Sequence, residues 1–257
     1  MDCCTRTASP EAPRLVFHGV GALLFVASTA VTIVWCGSMS DMRGMSMPGG
    51  WTMSMAWMRM PGQSWLEAAA VFVGMWSVMM VAMMLPALLP VLARYRRATG
   101  KRTWLVGAGY YFAWILLGVA IFPAGVALAE LEMRVPVVSR AVPIAAGAVL
   151  LLAGIVQLGG WKARHLACCR ELPVDVRSAW RHGLRLGIHC IACCSSLTAV
   201  LLVSGVMDLG AMGVVTLAIT LERLAPRGQL VARGIGVLVV AAGLWMLAGA
   251  AGFGGGC

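Results

Sequence analysis

The stretch that decides the fold is residues 75–90, MWSVMMVAMMLPALLP, in which no side chain carries a charge. It lies within an apolar segment, residues 65–92, that exceeds the roughly 20 residues a helix needs to cross about 30 Å of hydrocarbon. Of the 257 residues in the chain, 60% are hydrophobic and 12% are charged. Soluble domains carry about 25% charged residues, so the composition predicts an all-α membrane protein.

Seven apolar segments predict a polytopic transmembrane helix bundle. The fifth and sixth are separated by little more than Asp208, and one helix spanning both would be too long for a single crossing. We therefore predict a tight hairpin at residues 206–210; a re-entrant sixth segment would instead leave six crossings. A single transmembrane domain then covers residues 18–251, between tails at 1–17 and 252–257. The segments are residues 18–36, 65–92, 104–129, 137–160, 187–207, 209–221 and 231–251.

The distribution of positive charge predicts how the bundle is oriented. With seven crossings, 16 of the 20 Lys and Arg residues lie on the side of the N-terminus and 4 on the other. The positive-inside rule then places the N-terminus in the cytoplasm and the C-terminus outside, in a bacterial-type inner membrane. The net charge of +10 is explained by topology and does not indicate nucleic-acid binding. Segment 18–36 is interpreted as an uncleaved anchor, because its apolar run continues past the small residues at 27–30 to Trp35; the alternative is a signal peptide cleaved near those small residues.

The predicted outer loop, residues 37–64, is rich in methionine. Residues 39–60 read MSDMRGMSMPGGWTMSMAWMRM, and eight of these 22 residues are methionine. Thioether sulfur is a soft, uncharged ligand that suits Cu(I). The alternative is an adaptable apolar loop on the membrane surface. The candidate copper ligands are Met39, Met42, Met45, Met47, Met53 and Met55.

A second sulfur-rich region lies around the predicted cytoplasmic loop, residues 161–186. This loop begins WKARHLACCRELP, and the predicted fifth helix follows with GIHCIACC at residues 187–194. Positions i, i+3 and i+4 share a helix face, so three of these cysteines should point the same way. We expect them in the first turns of the helix, where its dipole favours thiolate, the form that binds metal. The alternative is that they pack as small hydrophobic residues. The candidate ligands are His165, Cys168, Cys169, His189, Cys190, Cys193 and Cys194.

The second segment offers a link between these two regions. Its methionines recur at helical spacing, and Pro86 and Pro90 interrupt its predicted cytoplasmic half. They either pack in the bundle or form a ladder of thioethers along which Cu(I) would pass. Cu(I) explains both sulfur-rich regions with one ion; zinc would not use the methionines, and mercury or cadmium would explain only the cysteines. The candidate ligands here are Met79, Met80, Met83 and Met84.

Three stretches also resemble a known family. MWSVMMVAMMLPALLPVL, GLRLGIHCIACC and VMDLGAMGVVTLAITLERLAPRG are similar to the metal-binding integral membrane proteins of domain-of-unknown-function family 2182. The family pattern has a cysteine where this chain has His165, and a second near Cys169. The resemblance implies metal binding at Cys190, Cys193 and Cys194 and a location in the membrane.

Together these features predict a membrane protein that captures, transfers or delivers Cu(I). The alternatives are a membrane thiol–disulfide oxidoreductase using Cys190 and Cys193, or an importer of mercury or cadmium. No phosphate loop, nucleophile triad or paired-carboxylate site indicates an enzyme. The expected partners are the lipid bilayer and the metal ion, with a metalloprotein recipient or a second copy of the chain as further candidates. Glu222 and Arg223 are interpreted as an interfacial ion pair or helix stop, and Gln157 as bonding a neighbouring helix.

Overall fold

The computed structural model describes residues 12–40, 45–47, 51–59, 62–99, 102–171 and 178–253. Across these residues the chain forms eight α-helices, one small β-hairpin and a single 3₁₀ turn at Met55–Trp57. The helices are α1 (Ala12–Ser40), α2 (Trp65–Thr99), α3 (Thr103–Arg134), α4 (Pro136–Leu158), α5 (Gly160–Glu171), α6 (Ala179–Ser204), α7 (Leu209–Leu224) and α8 (Gly228–Phe253).

Six of these helices are long and apolar enough to cross a membrane: α1, α2, α3, α4, α6 and α8. Many of their large apolar side chains are exposed, for example Leu66 at 81% and Trp245 at 83%. Soluble monomers rarely expose extended apolar surface, so this exposure indicates a membrane protein. The all-α prediction is confirmed. Helix α7 has only 16 residues, and the seven-span count with its orientation stays a prediction.

The predicted break between the fifth and sixth segments is present. Helix α6 ends at Ser204, and Gly205 follows with φ 112°, a conformation that favours glycine. Asp208 then begins α7 as its N-cap, because its Oδ1 accepts a hydrogen bond from the Ala211 backbone N–H at 2.8 Å. These two devices turn the chain sharply, so the segments form two helices and not one long helix.

The start of α6 differs from the prediction. The helix begins at Ala179, eight residues before the predicted start, with the Ser178 hydroxyl accepting from the backbone N–H of Arg181 at 3.3 Å. Its first turns are amphipathic: His182 is buried, whereas Arg181 and Arg185 are exposed. The apolar run alone therefore missed these turns. The expectation that the cysteines occupy the first turns of the helix is wrong.

Glycines allow α3 and α6 to pack closely. A Cβ atom on Gly187 would lie 2.8 Å from the carbonyl oxygen of Tyr110, and one on Gly109 would lie 2.6 Å from the carbonyl oxygen of Trp180. Small residues at such an interface let two helix backbones approach. This contact fixes Tyr110 of α3 beside the middle of α6.

The methionine-rich segment contains a β-hairpin, which the sequence did not predict. Strand β1 (Met45–Met47) pairs antiparallel with β2 (Trp51–Met53). The indole N–H of Trp51 donates to the backbone carbonyl of Ser139 at 3.0 Å and ties the hairpin to the start of α4.

Helix α2 is longer than predicted. It continues through Pro86 and Pro90 to Thr99, beyond the predicted end at residue 92.

Candidate metal centre

Four cysteine thiols form a row in the interior of the bundle. Cys169 comes from α5, and Cys190, Cys193 and Cys194 come from α6; each is no more than 2% exposed. The Sγ atoms of Cys190 and Cys194 are 3.8 Å apart. The Cys193 thiol lies within interaction range of those of Cys194 and Cys169. The three α6 cysteines therefore share one face, and Cys169 extends the row.

Two polar side chains contact the first thiol of this row. The Cys190 Sγ lies 3.0 Å from the hydroxyl of Tyr110 and accepts a hydrogen bond from Arg223 Nη1 at 3.1 Å. Tyr110 is fully buried and Arg223 is 6% exposed. Nη2 of Arg223 has no hydrogen-bond partner among the residues that the structure describes. Cys190 is thus held by groups from α3 and α7 that favour negative charge on its sulfur.

A buried ion pair lies beside the other end of the row. Lys162 Nζ is 2.7 Å from Glu222 Oε2 and donates to the backbone carbonyl of Cys193 at 2.6 Å. The Gln157 amide donates to Glu222 and accepts from the Ser196 hydroxyl at 2.5 Å. Burial lowers the pKa of Lys162, but the nearby Cys193 and Glu222 outweigh burial and raise the pKa above its ordinary value. This network joins α4, α5, α6 and α7 around the thiols.

The interpretation of Glu222 and Arg223 as an interfacial ion pair is wrong, although α7 does end one residue later, at Leu224. Both are buried, at 1% and 6% exposure, and they face the thiol row instead of marking an interface. Tyr110 and Lys162 were missed altogether, because nothing in their local sequence shows that helix packing brings them here. The available signal was Glu222 and Arg223 themselves, since ionisable residues within apolar segments usually serve a site. The prediction that Gln157 bonds neighbouring helices is confirmed.

The two candidate histidines lie close to each other. The ring centroids of His165 and His189 are 5.9 Å apart, and His165 also packs on Trp161 at 4.4 Å. Nδ1 of His165 has no hydrogen-bond partner in the described part of the chain. The side chain of Cys168 lies outside the described part. His165 of α5 and His189 of α6 therefore lie side by side where these two helices meet.

The α2 methionines are buried in the same continuous core as the four cysteines. None is more than 3% exposed, so they face the bundle interior. This core also contains Cys36, whose thiol lies 4.0 Å from the Met207 sulfur. The three cysteines near the chain ends, Cys3, Cys4 and Cys257, lie outside the described residues. The buried α2 methionines are Met75, Met79, Met80, Met83 and Met84.

The hairpin methionines belong to a separate core. Met47 and Met53 are 8% and 2% exposed, and they pack with Ala129 of α3. No charged or hydroxyl group contacts their sulfurs among the described interactions. Met42 lies outside the described residues, as do the side chains of Met39, Met45 and Met55.

The geometry limits the coordination that this site offers. Within the described ranges, no three His, Cys, Asp or Glu side chains are arranged to hold one metal ion. Adjacent thiols instead offer sulfur atoms in pairs. A pair of thiolates suits a soft monovalent ion, whereas structural zinc takes four ligands.

Comparison with protein-family models matches residues 73–246 to a family described as PpoB2, copper chaperone. The matched region contains the thiol row, the buried ion pair, Tyr110 and Arg223, and it excludes the methionine-rich hairpin. Neither the curated proteins nor the solved structures include a match.

Proposed function

This chain belongs to the PpoB2 copper chaperone family, and we propose on that premise that it binds Cu(I) on its buried thiols and transfers it. The six membrane-competent helices support a chaperone embedded in the bilayer. The finer identity with domain-of-unknown-function family 2182 is part of this proposal. So are the inner-membrane location, the seven crossings and the cytoplasmic N-terminus.

The observation that carries the proposal is that charged and polar side chains contact the buried cysteines. Four cysteines that served only as small hydrophobic residues would pack among apolar groups. Here the row contacts a guanidinium, a phenol and an ammonium–carboxylate pair, all in the bundle interior. Placing charged groups there costs free energy unless each has a partner. Thiolates that bind a metal cation would give these groups a role, because hydrogen-bond donors and positive charge stabilise negative charge on sulfur.

The soft character of the ligands favours Cu(I) as the cargo. Cysteine and methionine sulfur are both soft ligands that suit Cu(I), whereas zinc would use the cysteines and not the methionines. We propose that the pair Cys190 and Cys194 holds the ion, with Cys193 and Cys169 as the next pair along the row. Exchange from one pair to the next would move the ion between α6 and α5, where His165 and His189 lie.

Two further steps complete the proposal. The loop methionines other than Met47 and Met53 would capture Cu(I), and the stripe on α2 would relay it through the shared core towards the thiols. A metalloprotein recipient would then receive the ion. The burial of Met47 and Met53 supports a packing role for those two residues and leaves capture to the other loop methionines.

The thiol–disulfide oxidoreductase has less support. Such an enzyme must bring an accessible thiol to another molecule's disulfide. Cys190, Cys193 and Cys194 are at most 1% exposed, so a protein substrate would not reach them in this conformation. A small soft ion needs much less space.

The test is Cu(I) binding by the purified protein in detergent. We expect one tightly held Cu(I) per chain, lost when Cys190, Cys193 and Cys194 are all replaced by serine. Cys36→Ser is the matched control, because Cys36 is equally buried but lies outside the thiol row. Absence of copper from the native protein, or equal binding by the triple variant, would refute the proposed site.

A further inference from the structure

The guanidinium of Arg223 is a buried positive charge in the bundle interior. Arg223 is 6% exposed, and no carboxylate pairs with its guanidinium among the residues that the structure describes. The nearby Lys162 is also buried, but it has Glu222 at 2.7 Å as a counterion. Arginine is almost never buried without a partner, because an unpaired charge is costly in a low-dielectric interior. Arg223 therefore requires an anion that no carboxylate in the described part of the chain supplies.

The group that Arg223 faces identifies this anion. Its Nη1 contacts the Cys190 sulfur, which also lies 3.0 Å from the Tyr110 hydroxyl and 3.8 Å from the Cys194 sulfur. Building on the proposed function, we propose that Arg223 is the countercharge that makes the Cys190–Cys194 pair selective for monovalent over divalent soft ions. Arg223 is not itself a ligand; it acts through the sulfur that it contacts.

The charge count gives the reason. Two thiolates carry a charge of −2 and Cu(I) adds +1, so the bis-thiolate complex carries a charge of −1. Arg223 contributes +1 and the buried group is neutral. A divalent ion on the same two thiolates gives a neutral complex, and the arginine charge is then left unbalanced. In an interior of low dielectric constant, that difference strongly favours the monovalent ion.

The packing keeps Arg223 and the sulfur pair together. Tyr110 contacts Cys190 because glycines bring α3 against α6, and its hydroxyl is positioned to donate to a thiolate. Lys162 is occupied by Glu222 and by the Cys193 carbonyl, so it adds no net charge to the site. Among the described residues, the positive charge in contact with the Cys190–Cys194 pair thus comes from Arg223.

Two ions separate charge from coordination preference. Ag(I) and Hg(II) both bind pairs of thiolates, but they differ by one unit of charge. We would measure the affinities of the purified protein for Ag(I), Cu(I) and Hg(II) by competition with a thiol chelator. For Arg223→Met, the Ag(I)-to-Hg(II) affinity ratio should fall by roughly 100-fold relative to the native protein. Arg223→Lys keeps the charge and should retain most of the ratio.

Arg227→Met is the matched control, because Arg227 lies four residues further along the chain, between α7 and α8, and is exposed. Its ratio should equal that of the native protein. A merely structural role for Arg223 would weaken both ions together and leave the ratio unchanged, which would overturn the inference. If Cu(I) and Ag(I) bind through the cysteines but the ratio does not respond to Arg223→Met, the proposed function survives and this inference fails.

A measurement on the native protein covers the case in which Arg223→Met does not fold. The reference is a free dithiol, which has two sulfurs and no neighbouring cation. The protein should favour Ag(I) over Hg(II) by at least about 10-fold more than the dithiol does. An equal ratio would mean that the arginine exerts no charge selection, and the inference would be wrong. No binding of either monovalent ion would refute the proposed function and this inference with it.

Discussion

The two sulfur-rich regions of this molecule differ in what surrounds the sulfur. In the hairpin, the sulfurs of Met47 and Met53 pack with Ala129 and neighbouring apolar side chains. In the thiol row, sulfur contacts a guanidinium and a phenol, and a buried ion pair lies alongside. Both regions are equally prominent in the sequence, but among the residues that the structure describes only the thiol row is surrounded by charged groups.

This difference shows that abundance of sulfur is a poor guide to a metal site. Methionine fills irregular space well, and a buried thioether needs no partner. Buried charges, in contrast, lower stability unless a function or a partner requires them. The polar surroundings of the thiol row are therefore the stronger evidence for a metal site, and substitutions in both regions can test that conclusion.

The largest expected effect comes from removing one partner of the buried ion pair. Glu222→Gln leaves the ammonium of Lys162 buried without a counterion, and this should reduce the free energy of unfolding by about 3–5 kcal/mol. Denaturation of the detergent-solubilised protein, followed by circular dichroism, measures the loss. The double variant Lys162→Met/Glu222→Met should recover much of it, because no charge then remains unpaired.

Glu130→Gln provides the matched control. Glu130 pairs with Arg134 at 3.3 Å, but their side chains are 43% and 78% exposed. Exposed pairs contribute about 0–1 kcal/mol, so this variant should be nearly neutral. If Glu222→Gln and Glu130→Gln lowered the free energy of unfolding equally, the buried ion pair beside the thiol row would matter no more than an exposed one.

A smaller effect is expected where α3 and α6 meet. Gly187→Ala places a methyl group 2.8 Å from the Tyr110 carbonyl oxygen, and the backbone cannot yield as a flexible side chain would. We expect a loss of about 1–3 kcal/mol in unfolding free energy. Cu(I) affinity should also fall, because separating the helices moves the Tyr110 hydroxyl away from Cys190.

Gly107→Ala tests whether the methyl group itself matters. Gly107 lies on α3, and a Cβ there has no neighbour within 4 Å. Alanine should be neutral or stabilising by up to about 1 kcal/mol, since glycine is the poorer helix former. A similar loss at both positions would show that close packing of α3 on α6 is not what positions Tyr110.

Most of the fold could be predicted from the sequence, because the length of each apolar segment and the charged residues between segments determine where helices begin and end. The helical segments, the turn before Asp208 and the shared face of Cys190, Cys193 and Cys194 all follow from residues adjacent in the chain. The first turns of α6 were missed because their apolar face is narrow and their arginines lower the mean hydropathy.

The surroundings of the thiols could not be predicted in the same way. Tyr110 and Arg223 are separated from Cys190 by 80 and 33 residues. Their approach depends on which helices pack together, and glycines on α3 and α6 determine part of that. Periodicity identifies the face of one helix, but it does not identify the helix that will cover it.

The smallest effect is expected in the hairpin. Met47→Leu combined with Met53→Leu conserves volume, so unfolding free energy should change by less than about 1.5 kcal/mol. On the packing role that we propose for these two thioethers, the number of Cu(I) ions bound per chain should also stay the same. Quantitative metal analysis after Cu(I) loading measures it, with a Leu substitution at Met79 on the α2 stripe as the comparison. Loss of a bound ion from the hairpin variant alone would show that Met47 and Met53 are ligands, and the contrast between the two sulfur-rich regions would then be one of degree.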